Sequence, residues 1–161
     1  MAEYRIATRQ ELEYLWDLNI AENPGDSNWV RWKKEYISIN KTGKGYTFTV
    51  VIEGKPVGEG TLLFSPKCSA ISGRVNLADG KAIANINALR IRKSYEGQGH
   101  ISALVRLMEA YAAERGITRL TIGVEQKNSR NLAIYHHWGY NELVTHALED
   151  GEVVLYYGKD I

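Results

Sequence analysis

Cysteine is almost absent from this chain. Cys68 stands alone in 161 residues, which excludes an internal disulfide framework and fits a reducing compartment. No apolar run approaches the length needed to span a bilayer, and Met1-Ala2-Glu3-Tyr4-Arg5 has no apolar leader character. No membrane partner is expected, and the cytoplasm is the expected location. An excess of one charge is lacking too. The 20 Lys+Arg against 19 Asp+Glu leave a formal net charge of +1, whereas a dedicated nucleic-acid binder usually carries a basic excess. Nucleic acid is therefore not an expected partner. Linkers, repeats and low-complexity tracts are missing as well. No metal site is expected: His136 and His137 are neighbours on a predicted helix and so face different directions. Cys68 falls in a loop with no sequence neighbour to activate it.

What is present is the composition of a globular domain, with 44% hydrophobic and 24% charged residues. Its length supports a single domain over 1–161 with a real core. Tyr4–Ala7 reads as a short strand. Thr8 then caps a helix, Glu11 completes a capping box, and Leu12, Leu15, Trp16 and Ile20 form the stripe. After the turn Asn23–Asp26, either Asp26 or Ser27 caps a second helix carrying Trp29, Val30, Trp32 and Tyr36. Trp29 and Trp32 read as packing residues or as the wall of a ligand site. Tyr46–Ile52 and Pro56–Phe64 are β-rich runs joined in a hairpin by Glu53-Gly54-Lys55. Residues 65–81 are irregular, and Ala82–Ile91 returns to strand. A helical stripe follows at Ile101, Leu104, Val105, Met108 and Ala112, stopping at Arg115-Gly116. Leu120, Ile122 and Val124 alternate as a strand, and Val153–Tyr157 forms a last one. The order β-αα-β-β-β-α-β-α-β implies an α/β (α+β) fold: a mixed, largely antiparallel twisted sheet with helices on both faces.

Two segments carry chemistry. Leu89 to His100 reads as a strand running through Glu96-Gly97-Gln98-Gly99 into a long helix. Such a turn offers free backbone N–H groups at the positive end of a helix dipole, where a phosphate is welcome. Asn128 to Tyr140 reads as a short helix with an Asn cap, a Gly stop and Tyr135 on its last full turn. A phosphate cradle with a positioned phenol suggests a phosphate-bearing cofactor and a proton donor. Each half has a bland reading: a strand-to-helix junction often needs glycine only to turn, and a capped helix with a buried Tyr is common.

Together the two segments resemble the acyl-CoA signature of the GNAT superfamily, the acyl-CoA-dependent N-acyltransferases. The family's Asn-x-x-x-x-Ala-x-Tyr-x-x-x-Gly-Phe/Tyr is met by Asn128, Ala133, Tyr135, Gly139 and Tyr140. Its Arg/Gln-x-x-Gly-x-Gly/Ala is met in part: Gly97, Gln98 and Gly99 fit, Glu96 stands where Arg or Gln is usual, and Ile101 where a small residue is usual. The resemblance implies acetyl-CoA as acyl donor and an amine acceptor, small molecule or peptide, attacked directly in a ternary complex. It implies that the pantetheine arm lies where the strand ending Leu89-Arg90-Ile91 splays from Leu120–Val124. It places the oxyanion on the N–H of Leu89 or a neighbour, and the pyrophosphate on Glu96, Gly97, Gln98, Gly99, His100, Ile101 and Ser102. Asn128 and Asn131 join the cofactor set, and Tyr135 would protonate the departing thiolate. Many members carry a Glu base at about the position of Asn85, and Asn there can hold a water. Glu59, Glu125 or a water chain are the substitutes. A homodimer is compatible with the family. The second reading, from another class, is a GNAT-fold module that binds acyl-CoA as a sensor or regulator.

Overall fold

The computed structural model describes all residues, Met1–Ile161. Its elements are β1 (Ala2–Ile6), α1 (Arg9–Glu22), α2 (Asn28–Thr42), β2 (Gly45–Ile52), β3 (Lys55–Leu63), β4 (Ile83–Ile91), a 3₁₀ turn (Lys93–Tyr95), α3 (His100–Glu114), β5 (Arg119–Glu125), α4 (Ser129–His137), β6 (Glu142–Glu149) and β7 (Glu152–Asp160). The seven strands follow the order β1-β2-β3-β4-β5-β7-β6 in a mostly antiparallel sheet. Strands β4 and β5 are parallel, and α3 supplies the crossover that such a pair requires. The chain divides into two compact units, Met1–Leu62 with Ala88–Met108, and Leu63–Asn87 with Glu109–Ile161.

In the first unit, local signals place the helices. The Glu11 N–H donates to Thr8 Oγ1 at 3.1 Å and the Thr8 N–H to Glu11 Oε1 at 2.9 Å, closing the capping box. At α2 Ser27 occupies the cap position without a side-chain bond, and the preceding Asp26 supplies it, its Oδ1 accepting the Asn28 N–H at 3.0 Å. The strand pleat then sorts the side chains. A Cβ added at Gly60 would come within 2.7 Å of Leu89 Cδ1 and 3.1 Å of Met108 Sδ, so these groups share the face covered by α3. Arg90, one residue on, lies instead over Trp16 of α1 and Trp29 of α2. Helices thus cover both faces of this unit's strands.

In the second unit, residues 64–82 fold without helix or strand, yet they are tightly bonded. Asp79 Oδ1 accepts the N–H groups of Lys81, Ala82 and Ile83 at 2.8, 2.8 and 2.9 Å. The Arg74 guanidinium donates to the carbonyls of Ile71 and Ala70. Strand β5 pairs with β7 from Arg119↔Asp160 to Glu125↔Val154.

Two expectations need correction. Six strands are read from the sequence and seven are found: Glu142–Glu149 forms β6 and pairs antiparallel with β7. The last strand is also longer than Val153–Tyr157, running Glu152–Asp160. The alternation in β6 is broken by a register shift between Leu143 and Thr145, which hides the strand from a period-two reading. The signal that could have revealed it is Asp150-Gly151, both at positive φ, the tight turn joining β6 to β7.

Candidate functional site

The first unit holds the strand end and the glycine turn. Strand β4 carries Ala88 at φ 54°, a left-handed conformation that costs a residue with a Cβ about 1–2 kcal/mol. Strain of this kind re-aims the backbone that follows it, here Leu89-Arg90-Ile91. Beyond the 3₁₀ turn, Gly97 and Gly99 adopt φ 73° and 83°, and a Cβ added at either would meet nothing within 4 Å. The backbone there is therefore bare and lies open to a ligand, immediately before α3 begins at His100. A helix start with uncovered N–H groups fits a pyrophosphate in charge and in shape.

The side chains around this turn keep clear of it. Glu96 is exposed and Gln98 Nε2 donates back to the Ser94 carbonyl at 3.3 Å. His100 Nδ1 shares a hydrogen bond of 2.9 Å with the Tyr4 hydroxyl. Ile101 is half-buried, and Ser102 Oγ accepts from Arg106 Nη1 at 2.7 Å. The first unit thus brings Leu89, Arg90, Ile91 and residues 96–102 onto one continuous stretch of chain.

The same unit buries Glu59, which is 2% exposed. Its Oε2 accepts from Asn19 Nδ2 at 3.0 Å and its Oε1 from Arg90 Nη2 at 3.4 Å. Both oxygens are therefore occupied, which counts against Glu59 as a free base. The Arg90 guanidinium lies 5.0 Å from the ring centre of Trp16 and 5.2 Å from that of Trp29. Trp32 meets Trp29 edge-on at 5.1 Å, and both indoles are only half-buried. Trp29 thus flanks the cation together with Trp16, and Trp32 packs against the edge of Trp29.

The second unit holds the phenol. Asn128 caps α4, its Oδ1 accepting the Asn131 N–H at 3.1 Å. Two turns on, Tyr135 is buried, and its ring lies 5.7 Å from that of Trp138. Its hydroxyl makes no hydrogen bond within the chain, and it is not among the fully enclosed polar atoms. Burial raises the Tyr135 pKa above the usual phenol value, so the group stays protonated at neutral pH. Tyr140, by contrast, is a structural phenol: it donates to Glu109 Oε2 at 2.9 Å, where Lys159 Nζ also donates at 2.7 Å.

The environment of Asn85 on β4 is distinctive. Thr121 Oγ1 donates to the Leu77 carbonyl at 2.8 Å, so it accepts from Asn85 Nδ2 at 2.9 Å. Asn85 Oδ1 is then left fully buried without a partner. A buried acceptor in this state is costly unless a water or ligand donates to it. The β4–β5 ladder ends one pair later, at Ile86↔Ile122. Glu125, at the end of β5, is exposed and lies 3.8 Å from Lys127, an ordinary surface pairing.

Comparison with known proteins decides the family. Residues 9–140 match the family model described as acetyltransferase (GNAT) family, which covers most of the chain and both segments. The chain belongs to the GNAT family. It is an acyltransferase, and the family uses acetyl-CoA. No curated protein matches the sequence. Among solved structures, a RimL ribosomal-protein alpha-N-acetyltransferase in complex with coenzyme A is 17% identical, with a TM-score of 0.70 over 99% of this chain and 94% of that one. An N-acetyltransferase from Staphylococcus aureus is 13% identical, with a TM-score of 0.72 over 99% and 98%. A ribosomal-protein-alanine N-acetyltransferase from Brucella melitensis is 18% identical, with a TM-score of 0.68 over 99% of both chains. At these identities the likeness to this GNAT chain is one of fold.

Proposed function

We propose that this protein transfers an acetyl group from acetyl-CoA to a primary amine by direct attack. The single observation that carries the reading is the bare glycine turn of Gly97 and Gly99 at the start of α3, followed in sequence by a capped helix with an unpartnered, buried phenol. The donor's pyrophosphate is held by backbone N–H groups of residues 97–102, with Asn128 and Asn131 completing the cofactor set at α4. The backbone N–H of Leu89, aimed by the strained Ala88, stabilises the oxyanion, an effect commonly worth about 10²–10³ in rate. Tyr135 gives its proton to the leaving thiolate, and its raised pKa keeps that proton available.

The attacking amine must first lose a proton. Asn85 cannot take it, and its orphaned Oδ1 is enclosed, so the proton passes to water that reaches the amine from solvent. A water chain is therefore preferred to Glu59, whose oxygens are engaged, and to Glu125, which is an exposed surface carboxylate. The acceptor is a small molecule or a peptide.

The test is release of free thiol from acetyl-CoA in the presence of an amine panel of amino acids, polyamines and short peptides. Turnover with any of them supports the reading. Calorimetric binding of CoA with no turnover on the whole panel would leave a binding module instead, and no CoA binding at all would contradict both.

A further inference from the structure

We infer that Arg90 is the specificity determinant for the acceptor, and that the acceptor carries a carboxylate close to its amine. The inference rests on the acetyl-transfer reading above and names the substrate class for it.

A guanidinium held only for stability looks different, and this chain contains one for comparison. Arg5 grips Glu11 with two contacts, at 2.5 and 2.7 Å, at a helix start. Arg90 makes one contact to Glu59, at 3.4 Å. Its Nε is buried without a partner, and so is Nε1 of Trp16, over whose ring the guanidinium lies. Enclosed as they are, neither can meet an incoming group, but Nη1 of Arg90 also has no partner in the chain and is not among the enclosed atoms, so it is open to an acceptor. An acceptor that also matches the charge of the guanidinium is an ionised carboxylate.

The cluster is also built to hold its cation still. Trp16 and Trp29 flank the guanidinium, while Glu59, locked by Asn19, anchors one edge. Of the charged pair, the Arg90 side chain is 31% exposed and that of Glu59 only 3%. What an incoming molecule meets is therefore the cation. Its place along the chain fits as well. Arg90 directly follows Leu89, the residue proposed to hold the oxyanion, and consecutive Cα atoms lie about 3.8 Å apart. The pleat turns its side chain away from that of Leu89, toward α1 and α2. An acceptor whose amine reaches the thioester carbon could thus place a carboxylate on Arg90.

Two sources share this chemistry: the α-carboxylate of a free amino acid, and an acidic side chain beside the amine of a peptide. The experiment compares kcat/KM for free amino acids with their neutral amides, and for short peptides with Glu or Gln in the second position. The expected result is a preference for the carboxylate of at least about tenfold in one of the two pairs, which also identifies the source. In Arg90→Gln that ratio should fall towards one, with the loss residing in acceptor KM, and Arg90→Lys should restore part of it. A wild-type measurement guards against a variant that fails to fold: a carboxylic acid lacking the amine should inhibit competitively against the acceptor, and its amide should not. Equal rates on acid and amide, with no such inhibition, would overturn this inference while leaving acetyl transfer intact. Failure to acetylate any amine would overturn both.

Discussion

The hydroxyl of Tyr135 has no partner in the chain, so removing it breaks no internal hydrogen bond. Tyr135→Phe should therefore leave the melting temperature nearly unchanged and CoA affinity within a few-fold, while kcat falls by about 10²–10⁴. A stable variant with full activity would remove Tyr135 from the chemistry. Glu96 offers a second test at this scale. It is exposed at a turn proposed to hold a pyrophosphate, where a misplaced charge costs about 0.3–1 kcal/mol at low salt. Glu96→Arg should tighten CoA binding by a few-fold in calorimetry, with the gain shrinking as ionic strength rises. An unchanged dissociation constant at both ionic strengths would mean that the side chain plays no part.

At the scale of the elements, two backbone positions at positive φ bear different loads. Gly99 sits at φ 83° with open space above its Cα. Gly99→Val should weaken CoA binding by well over tenfold, because a branched side chain both strains the turn and stands in that space. Wild-type affinity in this variant would place the cofactor elsewhere. Ala88, at φ 54° within β4, should respond differently: Ala88→Val should lower stability by about 1–2 kcal/mol in urea unfolding, since a β-branched residue tolerates the left-handed region least. Legibility differed among these elements for physical reasons. Thr8 and Asn128 announce their helices because a cap is written within a few residues of the bond it makes. The strain at Ala88 is silent, since alanine is not a residue that marks a left-handed turn. Strand β6 is masked by its bulge, although Asp150-Gly151 marks the hairpin. The Asn19–Glu59–Arg90 cluster could not be read at all. Its members lie 40 and 31 residues apart, and only folding makes them neighbours.

Across the whole molecule, acid is the sharpest probe of the electrostatics. Burial works against the charge of Asp79, but the backbone N–H groups of Ile83, Lys81 and Ala82 and its own outweigh it and hold that carboxyl below its usual range. The Arg5 guanidinium does the same for Glu11, against burial. Both folded pKa values lie below their unfolded ones, near 3.8 for Asp79 and 4.5 for Glu11. Their stabilisation is thus complete above those unfolded values and is lost as pH falls through the lower folded ones. Urea midpoints should stay level towards neutral pH and drop below about pH 4, and Asp79→Asn should flatten that drop. A midpoint that is insensitive to acid in the parent protein would contradict the assignment. The central claim is chemical, however, and a single measurement addresses it most directly. Purified protein is incubated with acetyl-CoA and the amine panel, and free thiol is quantified beside the acetylated amine by mass spectrometry. The account predicts thiol and acetylated amine in equal amounts, and no thiol above background when amine is omitted. Thiol released equally with and without amine, or no acetylated product from any member of the panel, would contradict it.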